Sequence, residues 1–375
     1  MASHGDTPGE HPLRYALIGC AATIAPLHLQ ALAQLPAAEI VGMSDIAAER
    51  GVARAQEIGC PFFVDHRALL AELQPDVAVI CTPHPFHAPQ ALDCFAAGAH
   101  VLVEKPMAID VAEADAMIAA ADSAGRLLAV NLQQRFRPAI EYARKMIETG
   151  ELGDIVRVLC VEPWFRTDAY YRSATWRGTW KGEGGGVLMN QAPHTLDLLC
   201  HLAGPPIRVW GWARTLRHPI TTEDTAQAML EFANGAPGYL HVNTIETRQQ
   251  ARLQIVGNQA ALDLVGDQLS VYHFNPPLHE HMQTSADLFS KPDVRIETLL
   301  LPPGGDHLAV YRDLDAAIRE GHHPRADGRE GLMSLELANA ITFSNSMERA
   351  VSLPLDRSAY RALLGELQRH EEAVA

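Results

Sequence analysis

Two titratable residues stand in short, punctuated stretches of this chain: Lys105 in 103-VEKP-106 and His194 in 184-GGGVLMNQAPHTLD-197. A hydride leaving a carbinol carbon leaves a hydroxyl proton behind, and a titratable group within hydrogen-bond reach must take it. His194 is the candidate base. A cation beside the same oxygen stabilises the developing alkoxide, and a lysine partly desolvated in a cleft has a pKa that can move toward neutrality. Lys105 suits that role. If residues 188–203 form one helix, Asn190, His194, Asp197 and His201 fall at i, i+4, i+7 and i+11, a polar stripe opposite Leu196, Leu199 and Leu202. That stripe faces either a cleft or solvent, and the triglycine approach at 184–186 is one feature in favour of a cleft. Asn190 has no proton-accepting carboxylate and reads as a substrate binder, not a base.

A scaffold must hold these residues. Residues 14–131 alternate short apolar runs with amphipathic stretches: YALIG, EIVGMSD, DVAVICTP, HVLVEKP and LLAVN, separated by segments of helical period at 26–35, 47–57, 86–97 and 111–123. This βα repeat predicts a parallel, doubly wound Rossmann sheet over 13–131. Its first turn reads Gly19-Cys20-Ala21 where a dinucleotide fingerprint would read Gly-x-Gly, and Ala21 adds a methyl where a phosphate must approach closely. The backbone N–H groups of residues 20–24, Ala22, Thr23 and Ile24 among them, are still expected to face a pyrophosphate. Asp45 ends the second strand, either as a ribose-binding carboxylate or as a helix N-cap. In the first role it accepts from a 2′-OH and repels a 2′-phosphate, so NAD(H) is expected over NADP(H), with Arg50 nearby among the cofactor contacts.

Beyond residue 150 the period changes. Segments at 155–165, 207–215, 225–232, 238–244, 251–257 and 260–266 alternate like antiparallel strands, with Asn234-Gly235 marking a hairpin turn. Residues 274–293 read as a loop and 329–350 as a helix. The expected organisation is a flexible N-terminus over 1–12, the Rossmann domain, a substrate and oligomerisation domain over 132–355, and a helical tail over 356–375. The fold class is α/β, with the second domain α+β and built on an open, mainly antiparallel sheet.

The motifs 80-ICTPHPFH-87, 103-VEKP-106 and 184-GGGVLMNQAPHTLD-197, taken together, resemble the glucose-fructose oxidoreductase and inositol dehydrogenase family (Gfo/Idh/MocA) of nicotinamide-dependent sugar oxidoreductases. The resemblance spans about residues 13–355. It implies a Rossmann domain joined to an open antiparallel sheet through which homodimers or homotetramers often form. It implies that Thr82 and Pro83 line the cofactor cleft, that His84 stands where asparagine is usual, and that His87, Glu104 and Lys105 match the family pattern. Asn131 and Gln133 fall near the nicotinamide ribose, and Trp176-Arg177 resembles a pair that closes over the cofactor. The alternatives, less favoured, are that His87 is a helix-start histidine and Trp176 a core anchor. One departure stands out: the family often has aspartate four residues before the histidine, where this chain has Asn190.

Composition narrows the rest. The chain has 375 residues, 47% hydrophobic, and carries a formal charge of −15 with no basic block, which argues against nucleic-acid and acidic-membrane partners. It shows neither a signal-like start nor an apolar run of the roughly 18 to 20 residues that span a bilayer, so a cytoplasmic location is expected. Six scattered cysteines without CxxC spacing fit reduced core thiols, and the loop histidines 279, 281, 322 and 323 lack a third placed ligand, so no metal is expected. The segment 164-WFRTDAYYRSATWRGTWK-181, with Arg135 and Arg137 before it, is dense in aromatic and basic side chains. Aromatic faces suit sugar C–H surfaces and arginine suits anions, so Arg135, Arg166 and Arg172 are candidate contacts for a carbohydrate, polyol or glycoside that carries an anionic group; the bland alternative is an interface loop. Two rival functions use the same residues. One is a redox-neutral, NAD-dependent glycoside-cleaving enzyme acting by transient oxidation and elimination. The other is a non-catalytic sensor of NAD or sugar.

Overall fold

The computed structural model describes residues 11–247 and 250–374; the segment expected to be a flexible N-terminus lies outside them through residue 10. The chain divides into two compact units. The first contains residues up to 108, 112–133 and 306–332, and the second contains 109–111, 134–305 and 333 onward.

In the first unit the elements run β1 (Leu13–Ile18), α1 (Ala25–Leu32), β2 (Ala38–Ser44), α2 (Ala48–Ile58), β3 (Phe62–Phe63), α3 (His66–Leu73), β4 (Val77–Ile80), α4 (His87–Ala96), β5 (His100–Val103), α5 (Val111–Ala124) and β6 (Leu128–Val130). The strands pair in parallel in the order β3-β2-β1-β4-β5-β6. That order reverses between β1 and β4, and the crevice beyond the carboxyl ends of those strands is where doubly wound sheets take ligands. All four residues of β4 are buried, as a strand covered by helices on both faces requires. The pair β3 and α3 was not anticipated from sequence, because two phenylalanines between turns carry no readable period.

The second unit contains α6 (Pro138–Glu148), β7 (Ile155–Pro163), α7 (Asp168–Arg172), α8 (Trp180–Glu183), α9 (Val187–Asn190), α10 (Pro193–Ala203), β8 (Arg208–Arg214), β9 (Thr225–Glu231), β10 (Pro237–Asn243), β11 (Arg252–Gly257), β12 (Ala260–Val265), β13 (Gln268–Asn275), α11 (Leu278–Thr284) and β14 (Asp293–Leu299). After α12 (His307–Glu320) and α13 (Gly328–Met347), the chain ends with β15 (Val351–Ser352) and α14 (Arg357–Val374). The sheet order is β14-β13-β12-β11-β7-β10-β9-β8-β15. Every pairing is antiparallel except β7 with β10. Asn234-Gly235 turns the β9–β10 hairpin, with Gly235 at φ +80°. Helix α10 packs on β7 and α6, and its Leu196 and Leu199 are fully buried, each contributing roughly 1.5–3 kcal/mol.

Three sequence expectations change. The stretch 274–293, read as a loop, contains the end of β13 and all of α11; its Pro276-Pro277 pair only separates them. The single helix expected over 188–203 is two helices, broken at Gln191 and Ala192, with Pro193 opening α10 because proline cannot donate into a preceding turn. Residues 306–332, placed by sequence within the second domain, pack in the first unit, where α12 lies on α1. No helix among the described residues is long and apolar enough to cross a membrane.

Candidate active site

In the first unit the turn after β1 is folded tightly onto its neighbours. Gly19 sits at φ +88°, and a Cβ there would come within 2.8 Å of the Thr82 backbone nitrogen, so only glycine allows this approach. The expectation that N–H groups 20–24 all face a phosphate is corrected. Cys20 N–H donates to Ser44 O at 3.2 Å, Ala22 N–H to Gly19 O at 3.1 Å, and Ala21 N–H to Asp45 Oδ2 at 2.8 Å. Among the described residues this leaves Thr23 and Ile24 N–H, at the mouth of α1, without a protein acceptor. The other Asp45 oxygen accepts Ala47 N–H at 2.8 Å, so Asp45 ties the turn to α2, while Arg50 is exposed on that helix.

At the far end of the same crevice Glu104 is a buried hub. His28 Nε2–H donates to its Oε1 at 2.9 Å, Asn131 Nδ2–H to the same oxygen at 2.5 Å, and Lys105 N–H to Oε2 at 3.2 Å. His307 Nε2 lies 3.8 Å from Oε1, and the Tyr311 hydroxyl pairs with His28 Nδ1 at 2.8 Å. Burial works against ionising Glu104, but the His28 and His307 imidazoles and the Lys105 charge outweigh it and hold the carboxyl well below its ordinary value. The ligand-type atoms of His28, Glu104 and His307 lie within 4.8 Å of one another; His28 Nε2 and Glu104 Oε1 are hydrogen-bonded to each other, while His307 Nε2 is buried with no hydrogen-bond partner among the described residues. His87 is fully buried, with Nδ1 2.8 Å from Pro106 O and Nε2 2.7 Å from Thr82 O; burial pushes its pKa down, and the neutral ring donates to one of these carbonyls and packs against the other. It therefore pins the two loops that carry Thr82 and Lys105, a structural use of a residue expected at the cofactor. His84 is buried, and the Thr82 hydroxyl donates to Gln90 Oε1 at 2.6 Å.

These residues fit a dinucleotide. The N–H groups of Thr23 and Ile24 at the mouth of α1 suit a pyrophosphate, and Asn131 Oδ1 is a buried acceptor with no partner among the described residues. Gln133 Oε1 is a second such acceptor.

In the second unit Glu183, Asn190, Tyr170 and Arg177 form one hydrogen-bonded cluster. Asn190 donates through Nδ2 to Glu183 Oε1 and accepts from the Tyr170 hydroxyl at 3.3 Å. Arg177 Nη1 donates to that hydroxyl at 2.5 Å, and its guanidinium lies 4.3 Å from the Tyr170 ring centroid and 4.4 Å from that of Trp176. Arg166 lies 5.1 Å from the Tyr170 ring and donates to Phe165 O at 2.9 Å, and Arg172 is exposed on α7. His194, at the start of α10, is half-buried and lines a cavity of about 80 Å³ together with Arg137, Glu162, Trp164, Thr195 and Arg252. Burial raises the Glu162 pKa against the opposing Thr195 hydroxyl and Arg137 charge. A larger cavity, about 400 Å³, lies between α14 and the β8 edge and contains neither His194 nor Asn190; side-chain chemistry, not cavity size, marks the site.

Two site expectations are corrected. Arg135 is not a substrate contact: it is 3% exposed and grips Asp197, itself fully buried, by Nε and Nη2 at 2.9 and 2.6 Å. Asp197 consequently leaves the polar stripe. Sequence reasoning also missed His28, His307, Tyr311, Tyr170 and Glu183. Of these only Glu183, directly before the triglycine, and Tyr170, inside the aromatic and basic segment, stood beside a recognised motif.

Residues 13–132 match the oxidoreductase family described as the NAD-binding Rossmann fold, and residues 140–263 match the GFO/IDH/MocA C-terminal domain. The WlbA dehydrogenase of Bordetella pertussis, solved in complex with NADH and UDP-GlcNAcA, is 32% identical, with TM-score 0.79 over 92% of this chain and 100% of that one. A 1-carboxy-3-chloro-3,4-dihydroxycyclo hexa-1,5-diene dehydrogenase of Comamonas testosteroni is 36% identical over 46% of this chain and 45% of its own length. The D-glucoside 3-dehydrogenase of Escherichia coli is 29% identical over 52% and 55%. The match thus spans about half the length of these two relatives. Both halves of the sequence and the full-length likeness to a solved relative lead to one statement: the chain belongs to the Gfo/Idh/MocA family of oxidoreductases.

Proposed function

We propose that the chain is an NAD-dependent oxidoreductase acting on a ring hydroxyl of a sugar, polyol or glycoside. The observation that carries this reading is the buried Glu104 hub, whose Oε2 accepts Lys105 N–H and so fixes the backbone of that lysine in the crevice. NAD, when bound, supplies the hydride acceptor. Gly19, Thr23, Ile24, Asp45 and Asn131 would hold it, with NADP disfavoured by the Asp45 charge. Lys105 stabilises the oxygen that becomes an alkoxide, and His194 removes its proton. The family relatives named above for sugars and diols support that substrate class. An anionic substituent finds support in the exposed Arg172 and in the relative bound to UDP-GlcNAcA; Arg166 and Arg177, stacked on Tyr170, serve as a wall of the site more than as anion forks.

A homodimer or homotetramer is part of the same reading. Trp210, Met229, Tyr239 and Leu159 are register neighbours across β8, β9, β10 and β7, and the first two are 61% and 58% exposed, a row that calls for a second copy. The redox-neutral glycoside-cleaving alternative uses the same residues: transient oxidation acidifies the neighbouring C–H, the aglycone is eliminated, and the same NADH reduces the product, so aglycone is released without net NADH. The test is turnover with NAD⁺ on a panel of glycosides, inositols and glycosyl uronates, following NADH and released aglycone separately. Lys105→Ala and His194→Ala should each lower kcat at least about 100-fold while cofactor affinity changes far less. Near-native turnover in either variant removes that residue from the mechanism.

A further inference from the structure

Asn190 stands where the family often has a carboxylate, yet a carboxylate lies one side chain deeper. Glu183 ends α8 and is 1% exposed. Thr179 caps that short helix by accepting Gly182 N–H at 3.0 Å, and Gly184 closes it at φ +75°, so the chain turns away while the Glu183 side chain stays inside. Its Oε2 accepts Gly178 N–H at 2.5 Å and its Oε1 accepts the Asn190 amide. Because a carboxylate only accepts, this contact dictates the Asn190 orientation: nitrogen toward Glu183, oxygen toward the Tyr170 hydroxyl. Tyr170 in turn accepts from Arg177 at 2.5 Å and from Gln191 Nε2 at 3.3 Å. A chain of donors and acceptors therefore runs Arg177, Tyr170, Asn190, Glu183, with each member polarising the next. Next to it, Gly186 has no room for a side chain, since a Cβ would stand 1.9 Å from Glu223 O, and that contact fixes the entry to α9 on which Asn190 sits.

We propose that Glu183 is the positioning carboxylate of this site: the negative charge displaced from position 190 is kept on Glu183, which orients Asn190 and, through it, the Tyr170–Arg177 pair. The inference rests on the reading of His194 as the base. The Asn190 amide, held by that carboxylate, presents its oxygen to Tyr170 and cannot itself accept a proton. Glu183 touches no substrate; it acts through Asn190.

The test relocates the charge. Glu183→Gln keeps shape and an acceptor for Gly178 N–H but removes the charge, so kcat should fall roughly 10- to 100-fold with KM nearly unchanged. Asn190→Asp alone sets two carboxylates against each other and should also lose activity. The double variant Glu183→Gln with Asn190→Asp puts one charge back at the neighbouring position and should recover most of the loss, a rescue that a purely structural glutamate would not show. A double variant no better than Glu183→Gln, or a Glu183→Gln enzyme with native kcat, overturns the proposal. A second readout needs no substrate. In the ¹⁵N-labelled full-length protein the Asn190 side-chain amide should resonate downfield and shift upfield in Glu183→Gln; an unmoved resonance overturns the contact. If instead His194→Ala keeps native turnover, the reading of the base fails while the amide shift still reports on Glu183.

Discussion

Two buried glutamates, one in each unit, have opposite fates. Glu104 and Glu223 are 7% and 4% exposed, so burial penalises the charge of both. Glu104 nonetheless stays ionised, because imidazole N–H, amide N–H and the Lys105 charge surround it. Glu223 has only backbone donors, Gly186 N–H at 2.9 Å and Leu188 N–H at 3.0 Å, both on one oxygen, with another carboxylate, Glu183, near enough to repel it. Burial pushes its pKa up to about 7, against the pull of those N–H groups. The lesson is that burial sets the cost and the donors decide the charge.

The largest effect should come from breaking the first of these environments. His28→Ala removes the imidazole that donates to Glu104 and leaves a buried charge short of its partner, which typically costs about 3–5 kcal/mol. Denaturant unfolding at neutral pH should show that loss, and Glu104→Gln in the same background should return part of it, since a neutral amide needs no counter-charge. A loss under about 1 kcal/mol for His28→Ala would mean that Asn131 and His307 hold the charge by themselves.

Next in size is the second environment, visible as pH dependence. An ordinary glutamate titrates near 4.5 when unfolded, and Glu223 near 7 when folded, so the folded state binds the proton more tightly. Its contribution to stability is fully present below about pH 4.5, erodes as the pH climbs to about 7, and is level above that; the total is about 3 kcal/mol. Glu223→Gln keeps an acceptor for Gly186 and Leu188 but does not titrate. Relative to the native protein, it should gain up to about 3 kcal/mol in unfolding free energy between pH 5 and pH 8. A constant difference across that range would show that Glu223 is already charged, and the contrast with Glu104 would vanish.

This contrast was illegible in the sequence, whereas much of the fold was not. The alternation of YALIG, DVAVICTP and HVLVEKP with amphipathic segments marks the parallel sheet because covered strands must be apolar throughout. The switch to alternating residues after 150 marks the second sheet for the converse reason. What a period cannot carry is who meets whom. His28 finds Glu104 across 76 positions and Tyr311 across 283, and the return of residues 306–332 to the first unit that brings His307 and Tyr311 there leaves no trace in local pattern. Arg135 misled for the same reason: an arginine after a strand reads as an anion binder until its carboxylate, 62 positions away, is seen. Lys105 and His194 stand out in the sequence because they sit in short motifs, whereas nothing local distinguishes the Glu183 carboxylate, whose contact with Asn190 appears only in the structure.

The smallest effect concerns a third carboxylate, and it asks whether backbone donors alone can support a charge that still has work to do. Asp45 is half-buried, and both of its oxygens are used, one by Ala21 N–H and one by Ala47 N–H, each at 2.8 Å. Unlike Glu223 it lies at the end of β2, open enough to water that its donors need not offset full burial. Each oxygen retains a lone pair, so a ribose 2′-OH can donate to Asp45 without displacing either turn contact, whereas a 2′-phosphate meets a like charge. Asp45→Ala should therefore weaken NAD(H) and relieve the repulsion of NADP(H), narrowing the preference between them by roughly 10-fold, about 1.4 kcal/mol. Asp45→Asn separates the two causes: it keeps an acceptor for one N–H and for the ribose but removes the charge, so NAD(H) affinity should fall less than in Asp45→Ala while the discrimination against NADP(H) falls as far. Fluorescence titration of both reduced cofactors decides it. Equal affinity for NADH and NADPH in the native protein, with Asp45→Ala changing neither, would leave Asp45 as a clamp on the turn alone, a carboxylate kept for its two backbone bonds and not for the ribose.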